Sequence, residues 1–245
     1  ALAAEGIFAF FLESGFLAVL LFGWDKVSRA MHFFATCMVC LGAHFSAIWI
    51  VVANSWMQTP AGYHIVQTPS GPRAEITDFW AMVFNPSSME RLFHVLCGCW
   101  QAGAFLVVSV AAWYLLKQRH TEFAKASMRV GLGIGLVASV LSLVSGHESA
   151  QGVARNQPAK LAAFEGLYET TTNAPLVLFG WVDEKNERVI GPKIPGLLSY
   201  LTHGDVNQPV AGLREFAPED RPPVQRVFQL YHLMVAIGLV MIAVS

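Results

Sequence analysis

The chain alternates long apolar runs with short polar connections, and this pattern predicts helices that cross a membrane. Five runs contain few charged residues: 1–22, 31–53, 92–116, 126–146 and 224–245. Each is long enough to span a hydrocarbon core of ~30 Å, because an α-helix rises ~1.5 Å per residue. The pattern therefore predicts an all-α integral membrane protein, built as a bundle of about five transmembrane helices.

The polar connections divide the chain into three regions. Residues 1–146 are expected to form four transmembrane helices with short connections, 147–223 a long external loop, and 224–245 the fifth transmembrane helix. Within the loop, apolar side chains at 161, 164, 167 and 168 share one helical face, which predicts an amphipathic helix against the membrane surface. A short hairpin is expected around 181–186.

The distribution of charge predicts the orientation in the membrane. The connections 23–30 and 117–125 are rich in Lys and Arg, whereas 54–91 has more acidic residues. Cytoplasmic loops carry an excess of Lys and Arg, so the first two connections are expected in the cytoplasm. The amino end and loop 147–223 then lie on the outer side.

Composition supports a lipid bilayer as the surroundings of the chain. Hydrophobic residues make up 54% and charged residues 13%, and the mean hydropathy is +0.47. With a net charge of −1 and no basic cluster among exposed aromatic residues, no nucleic acid partner is expected. The chain begins inside an apolar stretch without a Met, so it is expected to be part of a longer polypeptide.

One histidine and one methionine are candidate haem ligands. His94 and Met234 each follow the outer end of an apolar run, so they are expected at similar depth. An imidazole and a thioether together suit the iron of an electron-transfer haem. Ordinary packing of both side chains is the more common outcome, so the residues alone leave this site open.

A second function class also fits the pattern. Ionisable residues inside membrane spans commonly mark ion or proton pathways, and Glu5, Glu13, His44 and His94 all fall within the apolar runs. These residues are therefore also compatible with a membrane ion or proton transporter that contains no haem.

Several segments resemble subunit I of the cytochrome bd-type quinol oxidases. The matching segments are 10–14, 22–26, 42–58, 146–149 and 160–165. The resemblance implies a terminal respiratory oxidase of the bacterial inner membrane that oxidises quinol at the outer face and reduces dioxygen to water. It implies a low-spin haem b, a high-spin haem b and a haem d, together with a second oxidase subunit and a small accessory membrane subunit.

The resemblance also implies roles for single residues at the low-spin haem and the quinol site. His94 and Met234 match the axial metal ligands of the low-spin haem b. Lys160 and Glu165 match loop residues of quinol oxidation, in which Glu165 would accept a proton and Lys160 would orient the head group or hold the loop. The two lie five residues apart, ~140° around a helix, so they are expected to share a face only loosely.

Other matched positions concern protons and charge. Glu5 matches the glutamate at the oxygen-reducing haem pair, and Glu13 and Ser46 match positions of the proton path, with Ser46 expected at a depth between the two glutamates. His232 stands where the family often has arginine, so the charge beside the low-spin haem would depend on pH. The short loop resembles the short-loop branch of the family, which is often cyanide-insensitive.

Overall fold

The computed structural model describes residue 3 and residues 5–245, apart from the side chain of residue 8. Among these residues, five helices are long and apolar enough to cross a membrane: Glu5–Phe22, Arg29–Gln58, Ser88–Leu116, Thr121–Asn156 and Pro218–Val244. The predicted bundle of about five transmembrane helices is thereby confirmed. The chain divides into two compact units, Ala1–Leu96 and Cys97–Ser245.

In the first unit, two long helices pack closely against each other. The first span begins as a π-helical segment, Glu5–Phe10, and continues as α1, Phe11–Phe22. Helix α2, Arg29–Gln58, starts where the hydroxyl of Ser28 accepts a hydrogen bond from the backbone N–H of Met31. A Cβ added to Gly42 would lie only 3.1 Å from the Cβ of Glu13, so the missing side chain permits the close approach.

A β-hairpin follows α2. Strand β1, Tyr63–Thr68, pairs antiparallel with β2, Gly71–Ile76, and the short helix α3, Phe79–Val83, comes next. The sequence pattern predicts only a connection at 54–91 and gives no indication of this hairpin. The two strands are largely exposed, so their side chains lack the regular alternation of a half-buried strand.

A buried polar network closes the end of this unit. Thr59 donates a hydrogen bond to the side-chain oxygen of Asn85 at 3.0 Å, and the amide of Asn85 donates to the hydroxyl of Ser55 at 2.9 Å. The hydroxyl of Ser87 lies 2.6 Å from that of Thr59. Buried polar groups are costly unless they are paired, so these contacts fix the chain that leads into the next helix.

Helix α4, Ser88–Leu116, leads to helix α5, Thr121–Asn156. Cβ atoms added to Gly131 and Gly135 would meet side chains of α4, so these glycines allow the two helices to pack closely. The predicted loop began at 147, but α5 continues to Asn156. Hydropathy falls at 147, whereas the helix ends before Pro158, which lacks the backbone N–H that a helix interior requires.

Residues 157–223, here called the loop segment, fold into a small structure of their own. Helix α6, Pro158–Glu165, is followed by strand pairs β3–β6 (Leu176–Val177 with Lys193–Ile194) and β4–β5 (Trp181–Asp183 with Arg188–Ile190), then by helix α7, Leu197–His203. The β4–β5 pair confirms the predicted hairpin. The last helix, α8, is Val224–Val244.

The predicted amphipathic helix corresponds to α6, but α6 is more buried than a helix lying on a membrane surface. Ala162 and Ala163 belong to a core with Val177, Leu213 and Phe228. The helix ends because Gly166 has φ +62°, a conformation that favours glycine. A Cβ there would lie 2.3 Å from a methyl carbon of Val189.

Candidate functional site

A pocket of about 430 Å³ lies beside the amino end of α6. Its wall includes Lys160, Phe164, Phe216, Asp220, Pro222 and Val227. Small-molecule sites of this size are typically apolar with a few polar groups that orient the ligand. The pocket has this character, since a lysine and an aspartate stand among aromatic and aliphatic side chains.

Aromatic stacking builds one wall of the pocket. The ring of Phe164 stacks on that of Tyr231 in α8, with centroids 4.5 Å apart and an interplanar angle of 4°. The ammonium nitrogen of Lys160 lies 5.7 Å from the centroid of Phe164. A cation over an aromatic face is attracted to the ring, so the half-buried Lys160 is held at the pocket wall.

Glu165 lies at the other end of α6 in a different environment. Only 3% of the residue is exposed, and its Oε2 atom has no hydrogen-bond partner among the described residues. Burial penalises the charged form and raises the pKa of Glu165 to about 8. The carboxyl group is therefore mostly protonated at neutral pH.

The structure separates the two predicted quinol residues as their spacing indicated. Lys160 lies in the wall of the pocket, whereas Glu165 is not among its lining residues in the described chain. Phe164, the residue before Glu165, does line the pocket. The buried acid is therefore adjacent in sequence to the pocket wall.

Sequence reasoning missed three residues of this region. Tyr231 precedes His232 in the last apolar run, and Asp220 lies in the polar stretch before that run, so neither carries a local signal of a site. Tyr168 has a buried hydroxyl without a partner in the described chain, and burial raises the pKa of this tyrosine. The amphipathic pattern included positions 164 and 168, but it could not indicate which of the two would face a pocket.

His232 anchors α8 to the loop segment. Its Nδ1 lies 2.8 Å from the carbonyl oxygen of Phe228, and its Nε2 lies 3.0 Å from that of Val177. The imidazole also stacks on the ring of Phe228, with centroids 4.0 Å apart. The histidine that replaces the expected arginine is thus built into the packing between α8 and β3.

In the first unit, the structure brings Ser46, a predicted proton-path residue, together with Glu5, the glutamate predicted at the oxygen-reducing haem pair. The hydroxyl of Ser46 donates a hydrogen bond to Oε1 of Glu5 at 2.7 Å. The contact places Ser46 level with Glu5, not between Glu5 and Glu13 as predicted. Gly42, one helical turn before Ser46, packs against Glu13. The two glutamates therefore face successive turns of α2.

The predicted haem ligands lie in different compact units, so their pairing stays a prediction. His94 is half-buried on α4, and Met234 is 55% exposed on α8. His44 is placed differently, because its Nδ1 lies 2.7 Å from the carbonyl oxygen of Cys40 in its own helix.

These features define a multi-pass membrane protein with a small folded segment that carries a buried acid and a pocket outside the spans. Residues 1–245 match the family described as cytochrome bd terminal oxidase subunit I. The chain belongs to this family.

Individual relatives agree with this assignment. The chain is 38% identical over 236 residues to cytochrome bd-II ubiquinol oxidase subunit 1 of Escherichia coli (strain K12), covering 95% of this chain and 45% of that protein. It is 36% identical over 252 residues to cytochrome bd ubiquinol oxidase subunit 1 of Bacillus subtilis (strain 168), covering 98% and 53%.

A solved structure also matches. The bd oxidase from Geobacillus thermodenitrificans gives a TM-score of 0.85 at 32% sequence identity, covering 98% of this chain and 54% of that chain. The chain therefore spans about half the length of the relatives it matches.

Proposed function

We propose that this chain is the haem-bearing part of a terminal respiratory oxidase that oxidises quinol and reduces dioxygen to water. The observation that carries the proposal is Glu165, a buried carboxyl group whose Oε2 atom has no hydrogen-bond partner in the described chain, next to a pocket of ligand size. Membership of the oxidase family supports this redox function over a haem-free transporter.

In quinol oxidation, the pocket binds the quinol and Glu165 accepts a proton. A quinol that becomes a quinone loses two electrons and two protons. Lys160 orients the head group by donating a hydrogen bond to a quinol oxygen, and the aromatic side chains of Phe164 and Phe216 in the pocket wall hold its ring. Deprotonated Glu165, behind the pocket wall, accepts one of the two protons, the other passes to the external water, and the haem would accept the two electrons one at a time when bound. A pKa of about 8 suits a base that works near neutral pH.

The residues present fit a low-spin haem b. His94 supplies an imidazole, and the largely exposed thioether of Met234 is little used in packing within the described chain. His94 and Met234 are the residues that would hold the haem iron. When bound, the haem would supply one-electron transfer.

Glu5 and Ser46 fit the neighbourhood of the high-spin haem b and haem d. Their hydrogen bond holds a carboxylate oxygen in a fixed position inside a span. We propose that Glu5 borders this haem pair and that Glu13, about two turns further along the helix, passes protons toward it. The second oxidase subunit and a small accessory subunit would complete the assembly.

The structure supports an outer position for the quinol pocket. Helix α5 has 36 residues, about 54 Å of rise, and separates the pocket end from the connection that carries Lys117 and Arg119. Because basic connections favour the cytoplasm, the pocket and the amino end are assigned to the periplasmic side of the bacterial inner membrane.

Steady-state quinol oxidation by Glu165→Gln tests the proposal. We expect turnover to fall by about 10² or more, because glutamine cannot accept the proton, while the haem spectrum remains that of the wild type. Glu169→Gln is the matched control, since Glu169 is exposed and pairs with Arg214. Wild-type turnover in Glu165→Gln would contradict the proposed role.

A reduced-minus-oxidised visible spectrum of the purified membrane protein tests the function class itself. Haem bands with a far-red component from haem d are expected. A colourless protein would refute the oxidase proposal and favour the haem-free transporter.

A further inference from the structure

A second cavity lies in a groove beside α4 and α5. Its volume is about 410 Å³, and its wall includes Trp100 from α4 and Arg129, Gly133, Ile134, Val137 and Leu141 from α5. All of these residues belong to the second compact unit. Apart from Arg129, the lining is apolar, so the groove combines a hydrocarbon-like wall with one positive charge.

The glycines of α5 explain why the groove stays open. A Cβ on Gly131 would come within 2.9 Å of Val108, and one on Gly135 within 3.4 Å of Phe105, so this face of α5 packs tightly on α4. A Cβ on Gly133 would meet nothing within 4 Å. Gly133 lies ~200° from Gly131 around the helix, so the groove runs along the face that α4 does not fill.

The length of the groove matches one leaflet of a bilayer. Arg129 and Leu141 are twelve residues apart, which corresponds to ~18 Å along the helix axis. One leaflet supplies about half of a ~30 Å hydrocarbon core. An acyl chain laid along the groove would therefore run from Arg129 toward the bilayer centre.

The positive charge of Arg129 indicates which kind of lipid head group the groove would bind. Lys125 pairs with Glu122 at 2.9 Å, but no carboxylate pairs with Arg129 in the part of the chain that the structure describes. An arginine inside a span requires a counter-charge or a path to the interface. Arg129 lies about two turns from the start of α5, close enough for its long side chain to reach a head group.

We propose that this groove binds an anionic phospholipid, with one acyl chain on the apolar wall and the phosphate on Arg129. A guanidinium binds phosphate through two parallel hydrogen bonds, and basic pockets between transmembrane helices favour anionic head groups. The site rests on the membrane position of α4 and α5 and is independent of the proposed quinol chemistry.

Lipid retention by the full-length protein, purified with its accompanying subunits, tests the site. The protein is equilibrated with vesicles of equal phosphatidylglycerol and phosphatidylethanolamine, and bound lipid is measured by mass spectrometry. Arg129→Gln is expected to retain about five-fold less phosphatidylglycerol, which corresponds to the ~1 kcal/mol that one basic residue contributes at an anionic surface. Retained phosphatidylethanolamine should not change.

Lys125→Gln is the matched control, because it removes a positive charge one turn away that already has a partner. Unchanged phosphatidylglycerol in Arg129→Gln, or an equal loss in Lys125→Gln, would overturn the proposal. The visible spectrum of each variant reports whether it is folded.

A photo-crosslinking side chain at Ile134 gives a second measurement that does not require loss of the arginine. Ile134 lines the groove and is half-exposed, so the probe is expected to label phospholipid. Filling the groove with Gly133→Leu should reduce that label. Labelling of another protein segment in place of lipid would show that protein covers the groove and would overturn the proposal.

Discussion

The membrane spans and the loop segment bury their side chains in opposite ways. In the spans, buried positions are mostly small residues such as Ala35, Gly42 and Ala138, whereas Phe11 and Leu116 are 70% and 83% exposed. In the loop segment, the core consists of larger side chains such as Val177 and Leu213. The same chain thus places its large apolar groups outside in one region and inside in the other.

The difference follows from the solvent that each region meets. Lipid is as apolar as leucine, so large side chains gain little by leaving it, and helices associate through small residues that allow close approach. Water expels apolar surface, so the loop segment must build an interior. The two regions therefore supply different surroundings for a carboxyl group: Glu5 receives a hydrogen bond from Ser46, whereas one oxygen of Glu165 has no partner among the residues that the structure describes.

The largest expected effect is the loss of a haem when one residue of the spans is replaced. His94→Ala removes an imidazole from a span and should abolish the low-spin haem b, while residues of the loop segment are unchanged. The reduced-minus-oxidised spectrum measures the loss. His44→Ala is the control, because His44 contacts the carbonyl of Cys40 in its own helix, and it should keep the haem. A normal low-spin spectrum in His94→Ala would refute the ligand assignment.

Proton delivery to the site of dioxygen reduction is also expected to depend on residues of the spans alone. Glu13→Gln is expected to keep the low-spin haem b and to slow dioxygen reduction by about 10² or more, because glutamine cannot pass a proton on. Glu5→Gln should in addition alter the high-spin haem bands. Stopped-flow oxidation of the reduced enzyme measures both. A wild-type rate through the proton-coupled phases in Glu13→Gln would leave that residue a structural role only.

The buried acid should give the loop segment a distinctive response to pH. Folded Glu165 keeps its proton up to about pH 8, whereas the unfolded chain releases it near 4.5. The folded state binds the extra proton between these values, so stability falls as pH rises from about 4.5 to 8, by roughly 5 kcal/mol at most. Thermal unfolding of Glu165→Gln in detergent should show a flatter pH profile than the wild type. Parallel profiles would contradict the burial argument.

The smallest expected effect concerns helix packing in the spans. Gly42→Ala adds a methyl group 3.1–3.3 Å from the backbone and Cβ of Glu13 and should cost roughly 1–3 kcal/mol of stability. Gly15→Ala on α1 is the control, because its added Cβ meets nothing within 4 Å, and it should be neutral or slightly stabilising. Equal melting temperatures for the two variants would show that the contact is easily relaxed.

The spans could be predicted from the sequence because hydropathy is a local property of the chain. Their ends could not be predicted as well, since the polar stretch 147–156 continues the helix until Pro158. The β1–β2 hairpin was missed because its exposed strands carry no clear alternation. In each case, the missing information lies in what the segment packs against.

The candidate site shows the same limit. The ~140° separation of Lys160 and Glu165 was readable from their spacing, and the structure places one in a pocket wall and the other in the interior. Which of the two would be buried depended on strands from residues 176–190, which no local pattern brings to α6. The stacking of Phe164 on Tyr231 likewise joins residues far apart in the chain.

The left-handed conformation of Gly166 ends α6, and the position of that end affects the pKa of Glu165. Because the helix stops there, Glu165 is its last residue, at the end where the aligned peptide dipoles leave a partial negative charge. That charge repels a carboxylate and favours the neutral acid, in addition to the effect of burial. A helix that ended one turn later would place Glu165 away from this charge and lower its proton affinity, so the position of one glycine adds to the effect of burial on how tightly the site holds a proton.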